Sequence, residues 1–380
     1  MNPLEHELDY PWAEVPPLGA TVELRPGLHW VRMRLPFALD HINLWLFDDE
    51  IDGVRGFTIV DCGITSDDTK AAWERIFDGV FAGRPLLRLI ATHFHPDHLG
   101  LAHWLADGGD RKRWQAPLWM SATEWTIGRL LSQQKGALGD EAGERAAAHF
   151  ARHGLTDAES LAKVRARGAG YYAKLVPAVP PSYRRLMNGQ AIAIGPHGAK
   201  RVFEVIVGHG HAPEHVSLYC DEDRLLISGD MVLPRISTNV SVFEVEPEGN
   251  PLPQYLHSLD RYLQLPADTL VLPSHGRPFI GLHKRVAQQH AHHQARLDDV
   301  LAACARPASA ADIVPVLFPR ELDLHQTTFA LGESLAHLNA LWYEGLVERR
   351  LDGDGIYRFV AVAATAAGRP GAAPAAAERR

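Results

Sequence analysis

The chain has 380 residues, enough for one large domain with an accessory unit. Its 46% hydrophobic and 22% charged content is ordinary for a folded globular protein, and its net charge of −8 argues against nucleic-acid binding driven by overall electrostatics. No uncharged apolar run is long enough to cross a bilayer, the stretch Met1 to Gly19 lacks the apolar core of a signal peptide, and Cys62, Cys220 and Cys304 form no C-x-x-C pair, so a soluble cytoplasmic protein is expected.

From Thr21 to Ile64 the pattern is of short extended segments separated by turn residues, among them Asn43–Phe47 and Phe57–Val60, the latter running into Asp61-Cys62-Gly63. Trp73, Ile76, Phe77 and Val80 recur at helical spacing and predict a helix over Asp67–Phe81. A strand over Leu86–Ala91, a helix from His98 to Ala106 and a strand over Pro117–Met120 follow. A second series predicts strands at Ala191–Ile194, Arg201–Val207, Val216–Cys220 and Leu225–Ile227, a helix at Leu252–Leu263, a buried strand at Leu270–Leu272 and a long helix at Leu282–Ala303. Strands alternating with helices in two halves predict an α/β body of two packed sheets with helices outside, over 20–131 and 188–305.

Between the halves, 132–187 reads as a helical insertion with nine Lys/Arg against five Asp/Glu, basic on an otherwise acidic chain. A solvated helical face explains those charges as well as a substrate cap does. From 306 to 361, an amphipathic helix at Ser334–Leu346 precedes two β-rich runs flanking Asp352-Gly353-Asp354-Gly355, which resembles a winged-helix unit. Its five Arg and eight Asp/Glu suit docking or formation of a homodimer better than DNA reading. The tail 362–380, rich in Ala, Gly and Pro, reads as disordered.

The chemistry concentrates in Thr92-His93-Phe94-His95-Pro96-Asp97-His98-Leu99-Gly100, which places three imidazoles and a carboxylate within six positions directly behind an apolar strand. Histidine and aspartate rarely enter a core without partners, and nitrogen with carboxylate oxygen is a donor set for a divalent cation, zinc first, iron or manganese also. His93 and His95, two apart at a strand end, point to one face, while Asp97 and His98 project differently as the chain turns. Three further strands stop at polar residues: Val207-Gly208-His209-Gly210-His211 with His215 beyond, Ser228-Gly229-Asp230, and Pro273-Ser274-His275-Gly276. A lone strand-end histidine is more often structural; four such ends together point to a metal centre.

On these residues the chain resembles the metallo-β-lactamase superfamily, whose His-x-His-x-Asp-His loop is matched by His93, His95, Asp97 and His98 and whose Gly-His-x-Pro-x-His stretch is resembled by Gly210 to His215. The resemblance spans Val22 to Arg285 and implies a four-layer αββα sandwich. It also implies two divalent metal ions, one held by His93, His95 and His211, the other by Asp97, His98 and His275, with Asp230 bridging and Asp61 supporting the histidine loop from behind. For the third histidine the spacing favours His211, with His209 and His215 close by. Hydrolysis by a metal-bound hydroxide follows, with Asp97 or Asp230 orienting the nucleophile. Fold does not fix substrate. The leading expectation is a glyoxalase II-like thioesterase or esterase acting on a small molecule with an anionic carrier, with Tyr171, Tyr172, Arg184 and Arg185 of the insertion as substrate-binding residues. An endoribonuclease or phosphodiesterase, an iron-dependent persulfide dioxygenase and a catalytically silent regulatory protein are the alternatives.

Overall fold

The computed structural model of the chain describes residues 2–37, 39–134, 137–168 and 170–362, so the tail read as disordered lies outside the described residues from 363 onward. The first sheet holds seven strands in chain order: β1 (Thr21–Arg25), β2 (Leu28–Arg34), β3 (His41–Ile51), β4 (Val54–Val60), β5 (Leu86–Ile90), β6 (Leu118–Met120) and β7 (Tyr183–Arg185). Strands β1 to β4 pair antiparallel through short turns, and β4 to β7 pair parallel. The second sheet comprises β8 (Ala191–Ile194), β9 (Arg201–Gly208), β10 (His215–Cys220), β11 (Leu225–Gly229), β12 (Leu270–Pro273) and β13 (Phe279–Ile280), arranged in that order across the sheet. Only β11 and β12 are parallel neighbours there.

Between β4 and β7 run α1 (Asp67–Asp78), α2 (Pro96–Leu99), α3 (Ala102–Ala106), α4 (Ala122–Ser132), α5 (Ala137–Arg152), α6 (Ala158–Gly168) and α7 (Tyr171–Leu175). After β11 come α8 (Pro251–Arg261), α9 (Leu282–Ala303), α10 (Ala310–Leu317), α11 (Leu324–Tyr343) and a terminal hairpin of β14 (Val347–Leu351) and β15 (Tyr357–Ala361). Three apolar clusters organise these elements. One fills the space between the two sheets, with Trp30, Trp45 and Phe47 facing Phe203, Leu218 and Leu272. Another lies under α1 and α3 on the outer face of the first sheet. The third joins the outer face of the second sheet to α8, α9, α10, α11 and part of α5. Each fully buried large side chain in these layers contributes roughly 1.5–3 kcal/mol.

Local chemistry explains most element boundaries. Helix α1 starts where the Ser66 side chain accepts from Thr69 N, and it buries the predicted Trp73, Ile76 and Phe77. Four differences from the sequence reading have physical causes. Strand β3 runs on to Ile51 through Asp48-Asp49-Glu50, because Asp49 is buried and paired with Arg88 at 2.7 Å. The helix expected over His98–Ala106 is two short ones, α2 and α3; a Cβ at Gly100 would meet Pro96 O at 2.5 Å and Gly63 O at 2.8 Å. The last long helix begins ten residues earlier than expected, at Leu324, capped by Asp323 with Gln326 in a capping box. Finally, the insertion is not helical throughout. Its Tyr183–Arg185 end pairs in parallel with β6 as the edge strand of the first sheet.

Candidate metal centre

Strand direction gathers the site. β4 and β5 are parallel, so Asp61 and the histidine loop leave the first sheet at one edge. β9 and β11 both run antiparallel to β10, and β11 pairs parallel with β12, so His211, Asp230 and His275 all leave the second sheet at one edge too. Backbone hydrogen bonds tie the two edges together, Val216 N to Thr92 O at 2.8 Å and Asn43 N to Ser274 O at 2.7 Å. Residues separated by up to 182 positions therefore converge.

They converge as two groups. In one, donor atoms of His93, His95, His211 and Asp230 all lie within 4.8 Å of one another; in the other, those of Asp97, His98 and His275 do. His93 Nε2 is 2.9 Å from His95 Nδ1 and 3.2 Å from His211 Nε2. The two oxygens of Asp230 face different ways: Oδ2 lies 3.5 Å from His211 Nε2, while Oδ1 lies 3.4 Å from His275 Nε2 and 3.6 Å from His98 Nε2. Asp97 Oδ2 sits 3.4 Å from His275 Nε2 and 3.5 Å from His98 Nε2. His209 and His215 stand apart. His209 is exposed and its Nδ1 pairs with Pro213 O, whereas buried His215 accepts from Asp230 N at 3.1 Å and flanks the ring of His93.

For four of the five donor imidazoles, the ring nitrogen turned away from the cluster is held. His98 Nδ1 donates to Asp61 Oδ2 at 2.8 Å, His211 Nδ1 to Asn239 O at 2.7 Å and His275 Nδ1 to His41 O at 2.8 Å. His93 Nδ1 is 3.0 Å from Thr92 Oγ1. Such partners fix the tautomer that leaves a lone pair facing inward. Asp61 also accepts from Thr92 N at 2.8 Å, from a backbone at φ 63°, a left-handed conformation that aspartate tolerates.

Electrostatics separates the groups. Burial, reinforced by the neighbouring His211, pushes His95 down to about 3, and His93 falls well below the usual histidine range for the same reasons. Burial also opposes charge on His275, but the carboxylates of Asp230 and Asp97 outweigh it and raise the imidazole to about 10. Two closely spaced carboxylates thus call for positive charge beside them. Two further atoms call for a partner: His98 Nε2 and Asp230 Oδ1 are buried with no hydrogen bond. Leaving such an atom unpaired costs about 1–3 kcal/mol, and a cation among these donors satisfies both, so the residues fit a divalent metal.

The residues of the insertion expected to meet substrate are placed as follows. Tyr172 Oη donates to Phe94 O, so it braces the histidine loop from behind. The Arg184 guanidinium lies over the Trp119 ring at 4.3 Å, and exposed Arg185 follows it along the sheet edge. Tyr171, half-buried, opens α7. Sequence reasoning missed Glu124 of α4 altogether. Its carboxylate is fully buried and accepts from Phe94 N at 2.9 Å and from Glu214 N at 2.6 Å, joining the loop of His93 and His95 to the loop of His211. Burial pushes that carboxyl up to about 7 against the two N–H groups that favour its charged form. A lone Glu near a helix start carries no sequence signal for this role.

This centre is set at the strand ends of two packed sheets. Residues 39–275 match the metallo-beta-lactamase superfamily, and residues 297–362 match the C-terminal domain of metallo-beta-lactamase-like proteins. The chain belongs to the metallo-beta-lactamase superfamily and is consistent with a metal-dependent hydrolase. It is similar to a beta-lactamase domain protein from Burkholderia ambifaria, 55% identical, with TM-score 0.88 over 95% of this chain and 100% of that one. It is also similar to a metallo-beta-lactamase family protein from Thermus thermophilus, 28% identical, with TM-score 0.70 over 90% of this chain and 100% of that one. Among curated proteins it is 27% identical over 153 residues to the probable metallo-hydrolase YqjP of Bacillus subtilis, and the match spans 39% of this chain and 47% of that relative. The chain thus covers about half the length of that curated relative. Among the described residues no helix is long and apolar enough to cross a membrane.

Proposed function

We infer that the protein is a dinuclear metal-dependent hydrolase of small molecules. In this reading His93, His95 and His211 hold one divalent ion, Asp97, His98 and His275 hold the other, and Asp230 lies between them. The observation that carries it is the split of the Asp230 carboxylate, one oxygen toward each group. The zinc-type ions would supply Lewis acidity and water acidic enough to ionise near neutral pH. Asp97 and Asp230 keep 19% and 10% of their side-chain surface open, so they are the carboxylates available to orient water and hold its proton. Asp61, Asn239 and the His41 carbonyl keep the imidazoles aimed inward.

The finer architecture belongs to the same reading: four αββα layers, with α10, α11 and the β14–β15 hairpin forming a winged-helix-like unit. For substrate, a thioester or ester with an anionic carrier is favoured by the basic balance of 132–187. The test is turnover by the zinc-loaded protein of matched thioester, lactone, lactam and phosphodiester probes. Thioester or lactone turnover is expected to dominate; turnover confined to phosphodiesters refutes the substrate class. Arg184→Ala and Arg185→Ala are expected to raise KM several-fold for anionic thioesters and not for neutral ones. Equal KM values throughout would remove the carrier clamp.

A further inference from the structure

We propose that the C-terminal unit is part of the metal centre, with Glu333 of α11 as a positioning residue that acts on His211 through Asn239. The segment joining β11 to α8 carries two adjacent residues that reach the donor cluster. Thr238 Oγ1 donates to Asp230 O at 2.5 Å, and Asn239 O accepts from His211 Nδ1 at 2.7 Å. A coil segment of this kind has no sheet ladder of its own to hold it, so its position depends on what it rests against.

It rests on α11. Asn239 Nδ2 donates to Glu333 Oε2 at 3.2 Å, and Val242 N donates to Gly332 O at 3.0 Å. Ser241 Oγ donates to Asn239 Oδ1 at 2.8 Å, locking the amide in the orientation that faces Glu333. The approach is close enough to demand a glycine. A Cβ at Gly332 would stand 2.8 Å from Ser241 Cβ and 2.9 Å from its Oγ. Helix α11 lies outside the region that matches the metallo-beta-lactamase superfamily and inside the C-terminal match, so the two matched parts of the chain meet at the residue whose carbonyl holds a donor histidine. A small shift of the Asn239 carbonyl turns the His211 ring and misdirects Nε2. Partners of this kind typically contribute 10- to 100-fold to metal affinity.

The proposal rests on the dinuclear reading above, and the experiment separates the two. Co(II) is titrated into the metal-free full-length protein and followed by its visible absorption, for the parent, Glu333→Leu, Glu333→Gln and Gly332→Ala. Glu333→Leu is expected to weaken one of two Co(II) sites about tenfold and to alter its spectrum, while Glu333→Gln, whose amide oxygen still accepts from Asn239, stays close to the parent. Gly332→Ala keeps Glu333, Asn239 and Ser241 chemically unchanged but pushes Ser241 away, and is expected to mimic Glu333→Leu, which keeps the test open should the leucine variant fail to fold. Parental Co(II) affinity and spectrum in Glu333→Leu and Gly332→Ala overturn the proposal, as does equal impairment in the Gln and Leu variants. A parent that takes up no Co(II) overturns the metal-centre reading itself.

Discussion

Replacing Asp61 by asparagine changes one atom behind the metal centre and reverses a tautomer. In the native protein Asp61 Oδ2 accepts from His98 Nδ1 and Oδ1 accepts from Thr92 N, both at 2.8 Å. Asparagine can keep its oxygen on the Thr92 amide, whose N–H has no other acceptor in that arrangement. Its NH2 group then faces His98 Nδ1, which must become the acceptor, and the ring proton moves to Nε2. That nitrogen points at Asp97 and Asp230 and is buried without a hydrogen bond, so it loses the lone pair with which it would bind an ion. The backbone is not strained by the change, because asparagine tolerates the φ of 63° at this position as well as aspartate does. The expected penalty is about 1.4–2.8 kcal/mol in metal binding, a 10- to 100-fold loss at the second position, with the fold intact. Metal content after gel filtration, a Co(II) titration and turnover of the best probe together measure it. An Asp61→Asn protein that keeps two tightly bound ions and parental turnover refutes the tautomer argument.

Two further outcomes concern stability away from the ions. Burial holds His149 at about 4, His153 at about 3, His293 at about 2 and His337 at about 4, where α5, α9, α11 and the terminal hairpin meet. Because these folded values lie below the unfolded one, the contribution of each is complete above about pH 6.5 and is lost as pH falls toward the folded value, at roughly 1.4 kcal/mol per group per pH unit. Melting temperature is therefore expected to fall as pH drops from about 6.5 to 5, with a shallower slope in His153→Phe, which keeps the stack on Tyr357; a flat profile contradicts this. Between the sheets, Asp49→Asn strands the buried Arg88 guanidinium and is expected to cost about 3–5 kcal/mol in urea unfolding. Metal content per folded molecule should be unchanged there, since Asp49 lies eight residues along β3 from His41, about 26 Å. A loss under 1 kcal/mol would count against the pair.

What the sequence determined by itself was the chemistry and its local setting. Donor types and the apolar strands that end in them are short-range features, so His93, His95, Asp97, His98, Asp230 and His275 were legible before any contact was known, as was Asp61 behind them. Tertiary structure decided what depends on distant partners. It separated His211 from His209 and His215 by which ring turns a nitrogen onto His93 Nε2, and it turned the two oxygens of Asp230 toward different groups. It set the Tyr172 hydroxyl on Phe94 O, and it made Tyr183–Arg185 a sheet edge although its own residues carry no apolar alternation. Glu124 and Glu333 show the reason most plainly. Each is a single carboxylate on an ordinary helix, and its role exists only through hydrogen bonds to loops 30 to 94 residues away, which no local pattern encodes.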